Sequence, residues 1–172
     1  MNISDSATSG IINDLQQKYP DKVLDIKEHN GATVIVRVSR EVIHDVLKTL
    51  YEDHHFIYLL QVFGTDRFTS ENRFEVVYHI FSLRDQLRIF IKTWLEEEET
   101  VIPTCTDLWR AANWQEREVY DMFGITFTGH PDLRRMFMPE DFEYYPLRKE
   151  FPPLGIPGSI QLPSTTPDSE ED

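Results

Sequence analysis

The sequence is poor in cysteine, in basic residues and in long apolar runs, and each shortage excludes a class of protein. Cys105 is the only cysteine, so an internal disulfide is impossible, and without a CxxC pair neither an iron–sulfur cluster nor a common structural zinc site is expected. Lys and Arg total 17 against 30 Asp and Glu, a formal net charge of −13, which disfavours nucleic-acid binding. The longest apolar stretch, FIYLLQVF, is far shorter than the ~20 residues that span a bilayer, and the chain opens without a secretory signal. We therefore expect a protein of a reducing compartment that is soluble or peripheral to a membrane.

The spacing of apolar residues predicts one α+β domain over residues 1–124. A short helix is expected over 11–19, a hairpin turns at Asn30 and Gly31, and a second helix is expected over 40–50. Three further strands lie in FIYLLQVF, RFEVVYHIFSL and QLRIFIKTW, and the unbroken apolar character of the first is typical of a strand covered on both faces. The predicted fold is a mixed or antiparallel sheet of about five strands packed with two to three helices. Residues 1–10 are expected to be disordered, and the acidic run 96–99 to be solvated and mobile.

A third helix is predicted from about Thr104 to Gly124, where the glycine suits a left-handed C-terminal residue. Thr104 can cap the start of this helix, and Asp107 in its first turn favours the positive end of the helix dipole. This helix contains the charged stretch WQEREVYDMFG. At ~100° per residue, Glu116 lies near the apolar edge, where a buried carboxylate needs a partner. The opposite side carries Arg110, Trp114, Arg117 and Asp121, with Glu118 beside them.

Three interpretations of these charges remain open. They form a solvated face with helical ion pairs such as Arg117 with Asp121. Alternatively they form an interface, which the large aromatic Trp114 among charged residues favours. Catalysis by Glu116, Glu118 and Asp121 is disfavoured, because Glu116 points away from the other two and no nucleophile lies nearby.

The segment 125–172 has eight of the ten prolines and yet, up to Leu162, many large apolar side chains. Such density of proline excludes long helices and central strands, while the apolar content is too high for a typical disordered tail. We predict an extended tail that lies on another protein, with a disordered acidic end at 163–172. Its basic residues, including Arg134, Arg135 and Arg148, either pair with acids of the segment or bind carboxylates of the partner. His130 is the only histidine that we flag, and a metal role is not favoured.

The segment ANWQEREVYDMFGITFTGHPDLRRMFMPEDFEYYPLRKEFP resembles the signature of the C-type subunit of the proton-pumping NADH:quinone oxidoreductase, respiratory complex I, which is the thirty-kilodalton subunit of mitochondria. The resemblance runs from about Val23 to Phe151, and Asp66 stands where many members have a longer acidic run. The signature and interface residues that it points to are Trp114, Glu116, Arg117, Glu118, Asp121, Gly124, His130, Leu133, Arg134, Arg135 and Arg148.

The resemblance implies a non-catalytic subunit that binds no cofactor and no metal, within a complex whose FMN, iron–sulfur clusters and quinone lie on other subunits. It implies an α+β fold with an extended C-terminal segment that wraps the D-type subunit, which helps form the quinone site, and contacts with neighbouring subunits of the peripheral arm. The location implied is the cytoplasmic face of the inner (plasma) membrane, with no membrane span in this chain. Glu118, Asp121, Arg134 and Arg135 are expected to join the third helix and the tail to the D-type subunit.

Other functions stay open from the sequence alone. The same role in a related complex fed by ferredoxin, F420H2 or formate, or in a membrane-bound hydrogenase, is equally compatible, because the electron input lies on other chains. A free-standing enzyme that uses the helix carboxylates and an adaptor unrelated to respiration are the remaining alternatives.

Overall fold

The computed structural model describes residues 3–29, 33–69, 71–152 and 155. Its elements in chain order are α1 (Ile3–Lys18), β1 (Val23–His29), β2 (Thr33–Val38), a 3-10 turn (Arg40–Val42), α2 (Ile43–Glu52), β3 (Tyr58–Asp66), β4 (Phe74–Ser82), β5 (Leu87–Leu95), β6 (Val101–Pro103), α3 (Ala112–Phe123) and β7 (Thr126–Thr128). The α+β class is thereby confirmed.

The main sheet has five strands in the order β1-β2-β5-β4-β3. Only β2 and β5 run parallel, and the other three pairs are antiparallel, so the sheet is mixed. After β2 the chain forms α2 and then the antiparallel meander β3-β4-β5, and β5 returns to pair with β2. The hairpin β1-β2 therefore lies beside the last strand of the meander.

The three helices pack on one face of this sheet. Side chains of α1, α2 and α3 share a single apolar core with alternate residues of the strands, which include Val36, Val62, Tyr78 and Ile91. Since successive residues of a strand point to opposite faces, the other face carries the intervening side chains. We call it the open face; it contains Ile35, Arg37, Phe63, Val77, His79, Phe81, Phe90, Lys92 and Trp94. Among the described residues, none of these belongs to the core that the helices share.

Strand β3 differs from the prediction of a strand covered on both faces. It is the last strand of the sheet, and Tyr58 and Leu60 are 45% and 44% exposed. The apolar composition of FIYLLQVF reflects the packing of α3 on one side, and Gln115 of α3 also accepts the backbone N–H of Val62 at 2.6 Å. An unpaired edge strand is thereby partly blocked.

The N-terminal helix is longer than predicted. It begins at Ile3 rather than near Ile11, so residues 3–10, expected to be disordered, are helical. Ile11 and Leu15 are buried in the core and fix this helix on the sheet. The turn expected at Asn30 and Gly31 and the acidic end at 163–172 lie outside the described residues.

The core also continues past Gly124, where the sequence placed the end of the domain. Strand β7 pairs in parallel with β6, and Ile125 and Phe127 are buried in the common core. Residues 129–152 have neither helix nor strand, and we call this stretch the tail. None of the described helices is both long enough and apolar enough to span a bilayer.

Candidate functional site

Helix α3 begins later than its sequence suggests. Thr104, the predicted cap, donates its backbone N–H to Thr128 at 3.0 Å as part of the pairing of β6 with β7. Asp107, expected in the first turn, instead lies 3.0 Å from the His44 ring. The chain therefore turns irregularly over 105–111, and the helix starts at Ala112. Its end is as predicted: Gly124 has a left-handed φ of 73° and donates its N–H to Tyr120.

Glu116 is fully buried and binds the segment that precedes the helix. Its carboxylate accepts the backbone N–H of Cys105 at 2.8 Å and the hydroxyl of Thr104, and it lies 3.1 Å from the Cys105 Sγ. Burial raises the pKa of Glu116 above its ordinary value, against the opposing effect of these hydrogen bonds. The prediction that this carboxylate is buried and partnered is confirmed.

His130 lies on the other side of Glu116, 4.0 Å from its Oε2, and its side chain is fully buried. Its Nδ1 accepts the N–H of Asp132 at 3.0 Å, which puts the ring proton on Nε2, 3.1 Å from the carbonyl of Asn113. His130 thus joins the first turn of α3 to the start of the tail. Within the described residues there is no group of three or more His, Cys, Asp or Glu side chains that suits a metal ion.

Asp121 is the most heavily bonded carboxylate of the helix, and all its partners belong to the tail. Its Oδ2 accepts three consecutive backbone N–H groups, those of Met136 at 2.9 Å, Phe137 at 2.6 Å and Met138 at 3.1 Å. Its Oδ1 binds the guanidinium of Arg135 at 2.8 Å. Such a row of N–H groups forms a nest for an anion. Burial acts to raise the pKa of Asp121, but these bonds outweigh it and hold the pKa below its ordinary value.

Arg117 also binds the tail, and the expected helical pair between Arg117 and Asp121 is not formed. Its Nε and Nη2 donate to the carbonyls of Arg134 at 3.0 Å and Arg135 at 3.2 Å. Its guanidinium lies 4.9 Å from the ring of Trp114, which is 61% exposed. The polar side of α3 is therefore covered by the protein's own tail, apart from its outer edge.

A second anchor, which the sequence analysis missed, lies at the end of the sheet. Asp66 is buried, binds Arg73 through two contacts of 2.9 and 3.1 Å, and accepts the backbone N–H of Lys149 at 2.8 Å. Arg73 also binds Glu150. Asp66 and Arg73 flank the turn between β3 and β4, and this opposite-charge pair across a hairpin was the available signal.

Arg148 and Gly124 connect the two anchors. Arg148 donates to the carbonyl of Phe123 at 2.7 Å and so satisfies the C-terminal end of α3. Its guanidinium lies 4.6 Å from the Tyr145 ring, and that ring packs directly on Gly124. Any side chain at position 124 would meet this ring.

The remaining predicted site residues do not join these clusters. Glu118 has no partner among the described residues, and Arg134 is 65% exposed and pairs with Asp132. Leu133 is partly buried against the core. The three carboxylates of the helix thus differ in role: Glu116 holds the preceding segment, Asp121 holds the tail, and Glu118 faces outwards.

The model of the family described as the respiratory-chain NADH dehydrogenase 30 Kd subunit matches residues 36–156. The chain belongs to this family. The C-type subunit of NADH-quinone oxidoreductase from Roseiflexus sp. (strain RS-1) is 44% identical over 151 residues, which is 86% of this chain and 84% of that protein. A C/D-type subunit of NADH-quinone oxidoreductase from Aquifex aeolicus is 39% identical over 159 residues, 91% of this chain, which spans only 26% of that longer relative.

Two solved structures share the fold. A fragment of Nqo5 described as trypsin-resistant is 34% identical with a TM-score of 0.64, and the match covers 74% of this chain and 99% of the fragment. A chain of a membrane-bound sulfane sulfur reductase, an archaeal respiratory membrane complex, is 27% identical with a TM-score of 0.72 and 86% coverage of both chains. The resemblance to the 30 kDa family that the signature of α3 indicated is confirmed.

Proposed function

We propose that this chain is a cofactor-free structural subunit in the peripheral arm of a proton-translocating NADH:quinone oxidoreductase, where it docks on the D-type subunit of the quinone site. Family membership supports the complex. The role of a structural subunit is supported by one observation above all: the buried acids of the family signature are occupied by groups of this chain. Asp121 is fully buried and accepts three N–H groups and an arginine of the tail, so both of its oxygens are engaged by this chain.

The docking surface proposed for the D-type subunit consists of exposed aromatic and apolar side chains along α3 and the tail. Trp114, Phe137, Tyr144 and Leu147 are each between 47% and 61% exposed. Large exposed apolar groups rimmed by charge mark protein interfaces. The side chains of Glu118 and Arg134 are exposed and can contact a partner directly. Asp121 and Arg135 are buried against each other, so they act by holding the tail on α3.

The Aquifex relative supports the D-type subunit as the partner. Its name assigns a C part and a D part to one protein, and this chain matches about a quarter of its length. Two modules joined in one chain are held close together. In our proposal the FMN, the iron–sulfur clusters and the quinone belong to other subunits, and the chain lies on the cytoplasmic face of the inner (plasma) membrane through its partners.

A second candidate is the same structural role in a related complex with another electron donor. The likeness to a chain of the archaeal sulfane sulfur reductase favours it, because that complex shares the fold under a different name and activity. Ferredoxin-, F420H2- or formate-linked complexes and membrane-bound hydrogenases belong to the same candidate, since the electron input is placed on other subunits in each.

The test is affinity purification of the tagged chain from detergent-solubilised native membranes. We expect iron–sulfur absorbance in the visible spectrum and co-purification of a D-type subunit, and the remaining subunits identify the electron donor. Isolation of a colourless, lone 20.3 kDa chain would contradict the proposal.

A pair of substitutions tests the docking surface itself. Phe137→Ala with Leu147→Ala is expected to lower the co-purified D-type subunit about tenfold, since losing one interface hot spot of ~1.4 kcal/mol or more has that effect. Leu83→Ala is the control, because Leu83 is similarly exposed at 59% but lies in the turn between β4 and β5. Equal recovery of the D-type subunit with all variants would show that the tail does not contact it.

A further inference from the structure

The open face of the sheet carries three arginines that lack an acidic partner. Arg37, Arg67 and Arg88 form no ion pair with any carboxylate of the described residues, although the chain has 30 acids and 17 bases. Most other arginines, such as Arg40 and Arg73, have such a partner. Arg110 and Arg117 are the other arginines without an acidic partner among the described residues, so three of the five lie on the face that no described helix covers.

Each of these guanidinium groups lies on an aromatic ring. Arg37 and Arg67 are 4.0 and 4.3 Å from the centre of the Trp94 ring, and Arg88 is 5.4 Å from that of Phe81. Stacking occupies the flat side of a guanidinium and leaves its N–H edge, which matches a carboxylate. The Nε of Arg37 is buried and has no hydrogen-bond partner among the described residues, so one donor in this group is unsatisfied.

The acids nearest to this face are already engaged. Glu75 binds both Lys92 at 3.2 Å and the indole N–H of Trp94 at 3.0 Å. In the acidic run 96–99, which we expected to be mobile, Glu97 pairs with Arg73 and Glu99 with Arg40. Asp25, which lies opposite Arg37 in the β1–β2 pairing, binds Lys27 at 3.2 Å. None of these acids forms an ion pair with the three stacked arginines.

The apolar part of the face has the character of an interaction surface. Phe90 stacks on His79 with ring centres 4.1 Å apart, and Tyr58 lies beside Phe81 at 6.3 Å. Burial, together with the charge of Arg88, holds the pKa of His79 below its ordinary value, so the ring is neutral near pH 7. Aromatic side chains with arginines at their edges have the composition of a binding surface for protein.

We propose that the open face is a second docking surface, which binds an acidic segment of a neighbouring subunit. Carboxylates of that segment bind the N–H edges of Arg37, Arg67 and Arg88, and its apolar side chains lie on Phe81 and Phe90. The inference rests on the proposed function, because it requires an assembled complex, but the open face shares no residue with the surface of Trp114, Phe137, Tyr144 and Leu147 proposed for the D-type subunit.

The first experiment is site-specific photo-cross-linking in the assembled complex of native membranes. Tyr58, at the rim of the open face, is replaced by p-benzoyl-L-phenylalanine, and Lys48 on the outer side of α2 is replaced likewise as a control. We expect a cross-link from position 58 to an Asp- and Glu-rich peptide of another subunit, and none from position 48.

Three results would overturn the inference. The first is a cross-link to residues 156–172 of this same chain, since these include its own acidic end. The second is a cross-link to a segment without acids. The third is the absence of any cross-link in a complex that contains the chain. If the chain is recovered alone, the proposed function fails and this inference fails with it. If the chain is recovered in a complex but gives no cross-link to an acidic segment, only this inference fails.

Charge reversal provides the second readout. Arg88→Glu should weaken retention in the complex about tenfold, equivalent to about 1.4 kcal/mol, and added salt should shrink the difference from the unmodified chain. Lys48→Glu, an exposed lysine with no partner among the described residues, is the control for net charge. Retention equal to that of the Lys48→Glu chain would refute an acidic partner on the open face.

Discussion

Replacement of Asp121 by Asn should release the tail from α3. The substitution keeps the size of the side chain but removes its charge and one acceptor. Oδ2 now accepts three backbone N–H groups of residues 136–138, and Oδ1 binds Arg135. An amide can place its oxygen on only one of these two sides, so its NH2 group must face donors on the other.

The expected magnitude follows from the burial of this pair. Asp121 is fully buried and the side chain of Arg135 is only 10% exposed. Breaking a buried ion pair by removing one partner costs about 3–5 kcal/mol. The tail can escape this cost by detaching, which rehydrates Arg135, so the loss appears as local opening. A change of about 3 kcal/mol raises the open fraction roughly a hundredfold, since 1.4 kcal/mol is a factor of ten.

Limited trypsin digestion measures this opening. The carbonyls of Arg134 and Arg135, which belong to the two bonds that trypsin would cut, accept hydrogen bonds from Arg117. Cleavage there requires release of the tail, and its rate follows the open fraction when reclosing is fast. We expect cleavage after Arg134 or Arg135 to be about a hundredfold faster in Asp121→Asn than in the unmodified chain.

Glu118→Gln is the matched control for this experiment. Glu118 lies on the same helix, is exposed and has no partner among the described residues, so its replacement should leave the cleavage rate unchanged. Equal cleavage rates for Asp121→Asn and Glu118→Gln, with the fold intact by circular dichroism, would refute the role of the nest.

Three further predictions concern the other anchors. Burial raises the pKa of Asp66, but bonds from Arg73 and from backbone N–H groups outweigh it and lower the pKa to about 2 from 3.8. A lowered carboxyl pKa stabilises the fold above pH ~4, and this contribution of about 2 kcal/mol is lost as the pH falls towards 2. Urea unfolding at several pH values should show this loss of stability, and Asp66→Asn should abolish this part of the pH dependence. Gly124→Ala should destabilise the fold by at least about 1–2 kcal/mol, because φ is 73° and the new Cβ would lie 2.5 Å from the Tyr145 ring. Thermal unfolding measures this effect, and an unchanged midpoint would contradict the prediction. Glu116→Gln keeps one oxygen that can accept the Cys105 N–H, and its NH2 group can donate to the Thr104 hydroxyl oxygen. It should therefore unfold at a higher urea concentration than Glu116→Ala, which leaves the Cys105 N–H buried without a partner at about 1–3 kcal/mol; equal midpoints would argue against the role of Glu116.

Local patterns predicted much of the fold. Alternation of apolar residues located β2, β4 and β5, helical spacing located α2, and Gly124 marked the end of α3. Prediction failed where the partner of a group is distant in the chain. Thr104 looked like a helix cap, but its N–H belongs to a strand pair with Thr128. The predicted N-terminal helix began too late in the chain, because the first residues of the observed helix include few apolar side chains.

The candidate site divides in the same way. A helical wheel places Glu116 at the apolar edge, and this is enough to predict its burial. It treats the helix as isolated, however, so one of the open interpretations paired Arg117 with Asp121 on a solvated face. In the folded chain the tail covers that face and supplies stronger partners, three backbone N–H groups and two carbonyls.

The fold class, the family and the residues of its signature could be predicted from residue type and short-range spacing. What the charges bind, which strand lies at the edge and which sheet face no described helix covers depend on the folded chain. Asp66 and Lys149 are 83 positions apart and meet through a 2.8 Å hydrogen bond. The physical reason is that a buried carboxylate is stabilised by whichever donors the folded chain brings to it, and chain distance does not limit that choice.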